Sequence, residues 1–226
     1  MTFDLEKNTT KLLALLLLAD CIFILLHIPH TMQIITNPLF SIGRDMGYAE
    51  VYQYIKIYWI VLLLLYIVVK RKRLIYFAWF LLFLYLLIDD TLRVHETMGR
   101  HIVSYFEYQP AFGLRAQDFG ELSVSFFFGT LLFTFIAIAY LQSDNKGKQR
   151  SKHLLALVML LAVFGVAMDM IHSMASWGSD LWGLIEDGGE MLVISIIVWY
   201  VFNIDISRKD TTPKEESQHG SIHCKE

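Results

Sequence analysis

Apolar residues along the chain come in long runs, interrupted by short polar breaks. Six runs approach the ~20 residues that a helix needs to cross ~30 Å of hydrocarbon. They are residues 11–35, 51–69, 74–97, 119–141, 153–174 and 181–202. Leucine-rich stretches at 12–18 and 61–69 fit helices, and the short alternating pattern of a membrane β-barrel is absent. The pattern predicts an all-α fold, a polytopic transmembrane helix bundle of about six spans over residues 1–202. A polar, disordered cytoplasmic tail is expected over 203–226. The first run carries Asp20 and lacks a small-x-small cleavage site, so it reads as a retained helix rather than a signal peptide.

Composition agrees with the pattern. Of the 226 residues, 55% are apolar, and the mean hydropathy of +0.47 is well above that of a soluble domain. The net charge of −3 and the lack of a basic stripe argue against a nucleic-acid partner. The two cysteines, Cys21 in the first run and Cys224 in the tail, cannot meet in this topology, so no disulfide is expected.

The distribution of charge sets an orientation. Lys70, Arg71, Lys72 and Arg73 separate the second and third runs, and Lys146, Lys148, Arg150 and Lys152 separate the fourth and fifth. The tail adds Arg208, Lys209 and Lys214, while the alternate connections hold few cations. The positive-inside rule then places both termini in the cytoplasm, in a plasma (inner) membrane, with the other face toward the periplasm or exterior. Tyr48, Tyr52, Trp177 and Trp182 are expected as outer interfacial anchors, and Trp199 and Tyr200 as inner ones.

Ionisable residues inside a membrane are costly and mark function, and here they collect at one level. The first span carries Asp20, then His27 and His30 toward its outer end. Asp20 and His27, seven apart, share a helix face. The third carries Asp89, Asp90, Arg93, His95 and Glu96, with Asp89, Arg93 and Glu96 on one face. The fifth ends with Asp169 and His172, and the sixth begins with Glu186, Asp187 and Glu190. The inner halves, 74–87, 154–168 and 191–201, are almost wholly apolar. This asymmetry predicts a polar cavity open to the outside and closed on the cytoplasmic side. With Arg93, Arg100 and Lys56 the cations nearby, so many carboxylates cannot all stay ionised at close range. Protons, a metal cation or bulk water must relieve them.

Carboxylates and imidazoles on facing helices are how bundle metal sites are built, and the mixture suits a divalent Zn, Fe or Mn ion. His95, Asp169, His172, Glu190, Glu186 and Asp89 are the candidate ligands. Glu96 and Asp90 are the candidate catalytic acid–base groups, with Asp20, His27, Arg93 and Asp187 as further polar wall. The sequence is not that of a zincin, because the histidine after His95-Glu96 is His101, at i+6. Each group also has a plainer role open to it. Asp89 or Asp90 can pair with Arg93, and Asp169 with His172. Glu186 and Asp187 can meet a helix dipole, and Gly188-Gly189 can allow close helix packing.

The run Asp89-Asp90-Thr91-Leu92-Arg93-Val94-His95-Glu96, with Glu186-Asp187-Gly188-Gly189-Glu190-Met191 later, resembles a pattern in uncharacterised bacterial multi-pass membrane proteins. They share an acidic pair followed after four residues by His-Glu, and a late acidic pair followed by x-x-Glu-Met. The resemblance covers these two segments and the general layout, and implies no particular activity. Alkaline ceramidase-like membrane hydrolases, which hold zinc with His and Asp, differ in a terminal His-x3-His that this chain lacks.

Three functions fit the pattern. The first is a metal-dependent, hydrolase-like membrane enzyme acting on a lipid or other amphiphile in the outer half of the bilayer. The second is a proton- or ion-coupled transporter, disfavoured by the apolar inner halves and the lack of an inverted repeat. The third is a membrane sensor or assembly factor.

Overall fold

With no water in the hydrocarbon to satisfy peptide groups, long apolar runs must close their backbone hydrogen bonds internally, as helices. The computed structural model describes residues 8–175 and 177–206, and these form an all-α bundle. Its helices are α1 (Asn8–Thr31), α2 (Tyr48–Arg71), α3 (Leu74–Leu92), α4 (Val94–Phe106), α5 (Ala116–Leu141), α6 (Asn145–Ala162), α7 (Asp169–Met174) and α8 (Ser179–Ile206). A π-helical segment, Val163–Met168, joins α6 to α7 in one continuous helix, Asn145–Met174. This helix, α2, α3, α5 and the stretch Thr9–Thr31 are each long and apolar enough to cross a membrane. The sixth long helix, α8, has 28 residues. The protein is a multi-pass membrane helix bundle.

Helix α8 is the hub: α1, α2, α6, the π segment and α7 all pack on it. Helix α3 packs beside α2, and α5 lies against α3 and α4. The apolar core occupies the half of the bundle toward the basic connections, where Ile60, Leu64, Trp79, Phe83, Leu154 and Ile197 are fully or almost fully buried. A hydrogen bond of 3.0 Å from Trp79 Nε1 to Ser151 Oγ ties α3 to α6 there. Basic side chains close that end. Arg71 donates to the Ile204 carbonyl at 2.6 Å, Arg150 donates to the Tyr76 hydroxyl at 2.9 Å, and Arg73 pairs with Asp144.

Several sequence expectations need correction. The first helix ends at Thr31 rather than 35, two residues after Pro29, because the chain turns at Gln33 with φ 58°. The third span ends at Leu92 rather than 97. Arg93 takes the left-handed conformation (φ 50°) as the C-cap of α3, so Asp89, Arg93 and Glu96 do not share one helix face. Residues 94–106 form α4, which folds against α5 through Gly99 and Gly120. A Cβ on Gly99 would lie 2.8 Å from the Glu121 amide nitrogen, so only glycine permits this approach. The last helix continues to Ile206, beyond the expected boundary at 202. Trp199 and Tyr200 are buried in the bundle, and Tyr200 bonds to His153 Nδ1 at 3.1 Å. The rest of the expected tail, with Arg208, Lys209, Lys214 and Cys224, lies outside the described residues.

Candidate functional site

All the helix ends opposite the basic connections converge on one cavity of about 1020 Å³. Eleven of the twelve candidate residues line it: Asp89, Asp90, Arg93, His95, Glu96, Asp169, His172, Glu186, Asp187, Glu190 and His27. Asp20 does not. It lies fully buried between α1, α2 and α8, with Oδ1 2.8 Å from Lys56 Nζ and Oδ2 accepting a 2.5 Å hydrogen bond from Ser195. Lys56 donates also to the Met191 carbonyl at 2.8 Å and to Ser195 at 3.1 Å. The one basic residue of α2's apolar stretch is thus consumed in a structural network and is not a cavity cation. An ionised group in hydrocarbon must find such partners.

Two imidazoles on the wall are each held by a carboxylate. His95 Nδ1 lies 3.1 Å from Asp89 Oδ2, and the other Asp89 oxygen accepts the His95 backbone N–H at 2.8 Å. Asp89 therefore caps the start of α4 and orients the ring with one side chain. Its hydrogen bond holds His95 above the ordinary imidazole value of 6.5, against the effect of burial, and Glu121 and Asp90 act in the same direction. His172 Nδ1 lies 2.9 Å from Glu186, and its Nε2 3.0 Å from Ser179 Oγ. His172 pairs with α8 rather than with Asp169 on its own helix. Arg93 pairs with Asp45 at 2.9 Å and reaches Glu96 at 3.8 Å, not Asp89 or Asp90.

Four carboxylates remain. Asp90 (α3), Asp169 (α7), Asp187 and Glu190 (α8) carry no side-chain hydrogen bond or ion pair among the described residues. Glu190 is within electrostatic reach of the other three, and Asp169 of both His95 and His172. The local backbone makes room for this. The carboxylate of Glu190 occupies the space a Cβ would fill on Gly165, within the π segment, and the Phe164 ring fills that of Gly189. A π turn inserts one residue into the helical repeat, rotating the residues beyond it by about 100°, and so presents Asp169 to the cavity.

His27 completes the wall. It is 7% exposed, its Nδ1 accepts the Ile42 N–H at 3.2 Å, and its Nε2 has no partner. In a neutral ring the proton must then sit on Nε2, as a free donor.

Among the described residues, no three His, Cys, Asp or Glu side chains come together as a metal-binding group. The imidazoles stand in two separate pairs.

The wall also includes residues that the pattern of buried charge did not single out. Glu50, Gln53, Tyr54 and Ile57 on α2 follow i, i+3, i+4, i+7 spacing, and Gln117, Glu121, Ser125 and Gly129 on α5 follow strict i+4 spacing. Apart from Ile57, both stripes were visible in the sequence as polar or small residues on one helical face. The chain belongs to the family described as Domain of unknown function (DUF8692), which matches residues 11–205. No curated protein and no solved structure matches it.

Proposed function

We propose that this protein is a hydrolase-like membrane enzyme acting on a lipid or other amphiphile within the carboxylate-lined cavity. The observation that carries this reading is the Asp89–His95 pair. A carboxylate holds the imidazole through Nδ1 and leaves Nε2 for proton transfer, as a general base requires. His95 Nε2 would take a proton from water as the hydroxide adds to an ester or amide carbonyl, then return it to the departing oxygen or nitrogen. Asp90, on the same wall, would make the second proton transfer. Glu96, tied to Arg93 at the rim, is better suited to positioning than to proton transfer.

A divalent Zn, Fe or Mn ion is the cofactor that these donor types would take. His95, His172, Asp169 and Glu190 are its candidate ligands, with Asp89 and Glu186 as the carboxylates behind the imidazoles. As placed, the donors do not form one coordination set, so the proton transfer proposed here runs through the imidazole alone. The basic connections at the opposite end support an orientation with the cavity toward the exterior or periplasmic face of the plasma membrane. The resemblance to bacterial multi-pass proteins with the same two acidic motifs is compatible with that location.

The test is turnover. Purified protein is incubated with a membrane lipid extract, products are followed by mass spectrometry, and bound metal is measured in parallel. Conversion of a lipid component by the wild type and not by His95→Gln is expected. Equal conversion by both overturns the assignment.

A further inference from the structure

We infer that the cavity takes a cationic amphiphile, an alkyl chain bearing a protonated amine. The amine would sit among Asp90, Asp169, Asp187 and Glu190, in the place a metal ion would otherwise take at Asp169 and Glu190, and the chain would extend into the apolar floor between α3, α5 and α6. This rests on the cavity being the substrate site, as proposed above, and names the substrate class.

Three independent features carry it. First, charge: the cavity wall carries eleven carboxylates against four arginines. The four central carboxylates make no direct ion pair among the described residues, and of the four arginines only Arg115 comes within electrostatic reach of one of them, Asp169. Carboxylates crowded in this way are relieved by protons or by a cation that brings its own charge. Second, His27 is nine-tenths buried at the same wall with Nε2–H unpartnered. A buried donor left unmade is expensive, so the wall holds an unmet polar group that a bound ligand or its water would satisfy.

Third, polarity changes with depth. Below the acids the same cavity is lined by Leu86 and Phe83 of α3, Leu132 and Phe133 of α5, and Leu161 and Val158 of α6. From Asp169 to Val158 the wall runs eleven residues, about 16 Å along a helix. Helix α5 packs on α3 and α4 and meets α6 at few points, so this apolar stretch lies where two helices stand apart. A chain there would lie alongside the lipid tails with its head at the level of the acids. A free metal ion or a small hydrophilic amine would leave the apolar floor unused, and an anionic lipid would place its charge among unpaired carboxylates.

The experiment measures binding rather than turnover. Full-length protein in the neutral, steroid-based detergent digitonin is titrated with radiolabelled dodecylamine. Ethylamine, dodecanol and dodecyl sulfate serve as competitors. Saturable dodecylamine binding is expected, with each competitor at least tenfold weaker. Glu190→Gln combined with Asp187→Asn should weaken dodecylamine at least tenfold. Leu132→Trp, which fills the floor, should weaken dodecylamine and leave ethylamine unchanged. Thermal unfolding of each variant checks that it is folded. Equal competition by dodecyl sulfate, or wild-type affinity in the double variant, overturns the amine assignment. Equal affinity for ethylamine overturns the chain assignment. Amine binding without turnover would leave this inference standing and remove the enzyme reading. Turnover of a neutral or anionic lipid without amine binding would do the reverse.

Discussion

Lys56 Nζ lies 2.8 Å from Asp20 Oδ1, and neither side chain has any exposed surface. The pair locks α2 to α1, and through Ser195 and the Met191 carbonyl to α8, just inward of the acid cluster. Removing one partner leaves a charge in the bilayer interior with nothing to answer it. Asp20→Leu or Lys56→Met alone should cost roughly 3–5 kcal/mol, whereas the double variant should recover most of that. Thermal unfolding in detergent reads the three proteins. If the double variant is no more stable than the worse single one, the pair is not the interaction that matters.

The Asp89–His95 pair predicts a pH dependence with a definite sign. Because the pairing raises His95 above 6.5 in the folded protein, the folded state binds this proton more tightly than the unfolded chain does. The stabilisation is therefore complete below about pH 6.5 and is lost as pH rises through the raised value. Asp89→Asn should abolish this component and lower the His95 titration midpoint, read by NMR of the labelled ring. The start of α4 should be little changed, since the asparagine oxygen still accepts the His95 N–H. An unchanged His95 midpoint in Asp89→Asn would show that another group holds the proton.

Much of this was legible in the sequence because hydrocarbon leaves so few choices. The helices and the level of His95, Asp169, His172 and Glu190 follow from apolar runs and from where charge interrupts them. Pairing could not be read in the same way. Asp20 and Lys56 are 36 positions apart, and only helix packing decides that they meet. His172 was open to Asp169 at i−3, but the ring bonds to Glu186 across the α7–α8 turn. The end of α3 was missed for a local reason. Nothing in Thr91-Leu92-Arg93-Val94 is a helix breaker, and Arg93 takes a left-handed conformation that non-glycine residues seldom adopt.

Two glycines separate cavity shape from fold stability. At Gly165 an added methyl meets only the far end of the flexible Glu190 side chain, while at Gly189 it meets the Phe164 ring. Gly165→Ala should keep or slightly raise stability, by up to ~1 kcal/mol from helix propensity, while displacing Glu190 and weakening cation binding. Gly189→Ala should destabilise by roughly 1–3 kcal/mol through overpacking. Unfolding temperature and dodecylamine affinity, measured on both variants, distinguish them. A Gly165→Ala protein that binds as the wild type does would show that the position of Glu190 is immaterial.

Orientation can be tested without knowing a ligand. Gln109 is exposed in the connection between α4 and α5 at the cavity end, and Lys146 is exposed at the basic end. Single cysteines are introduced at these positions in a background carrying Cys21→Ser and Cys224→Ser. They are then treated with a membrane-impermeant maleimide on intact cells. Lys70, Arg71, Lys72 and Arg73, and with them Lys146, Lys148, Arg150 and Lys152, flank one end of the bundle, which the positive-inside rule assigns to the cytoplasm. Gln109→Cys should therefore label at once and Lys146→Cys only after permeabilisation. The opposite pattern would turn the cavity toward the cytoplasm, and with it the source of any amphiphile that enters.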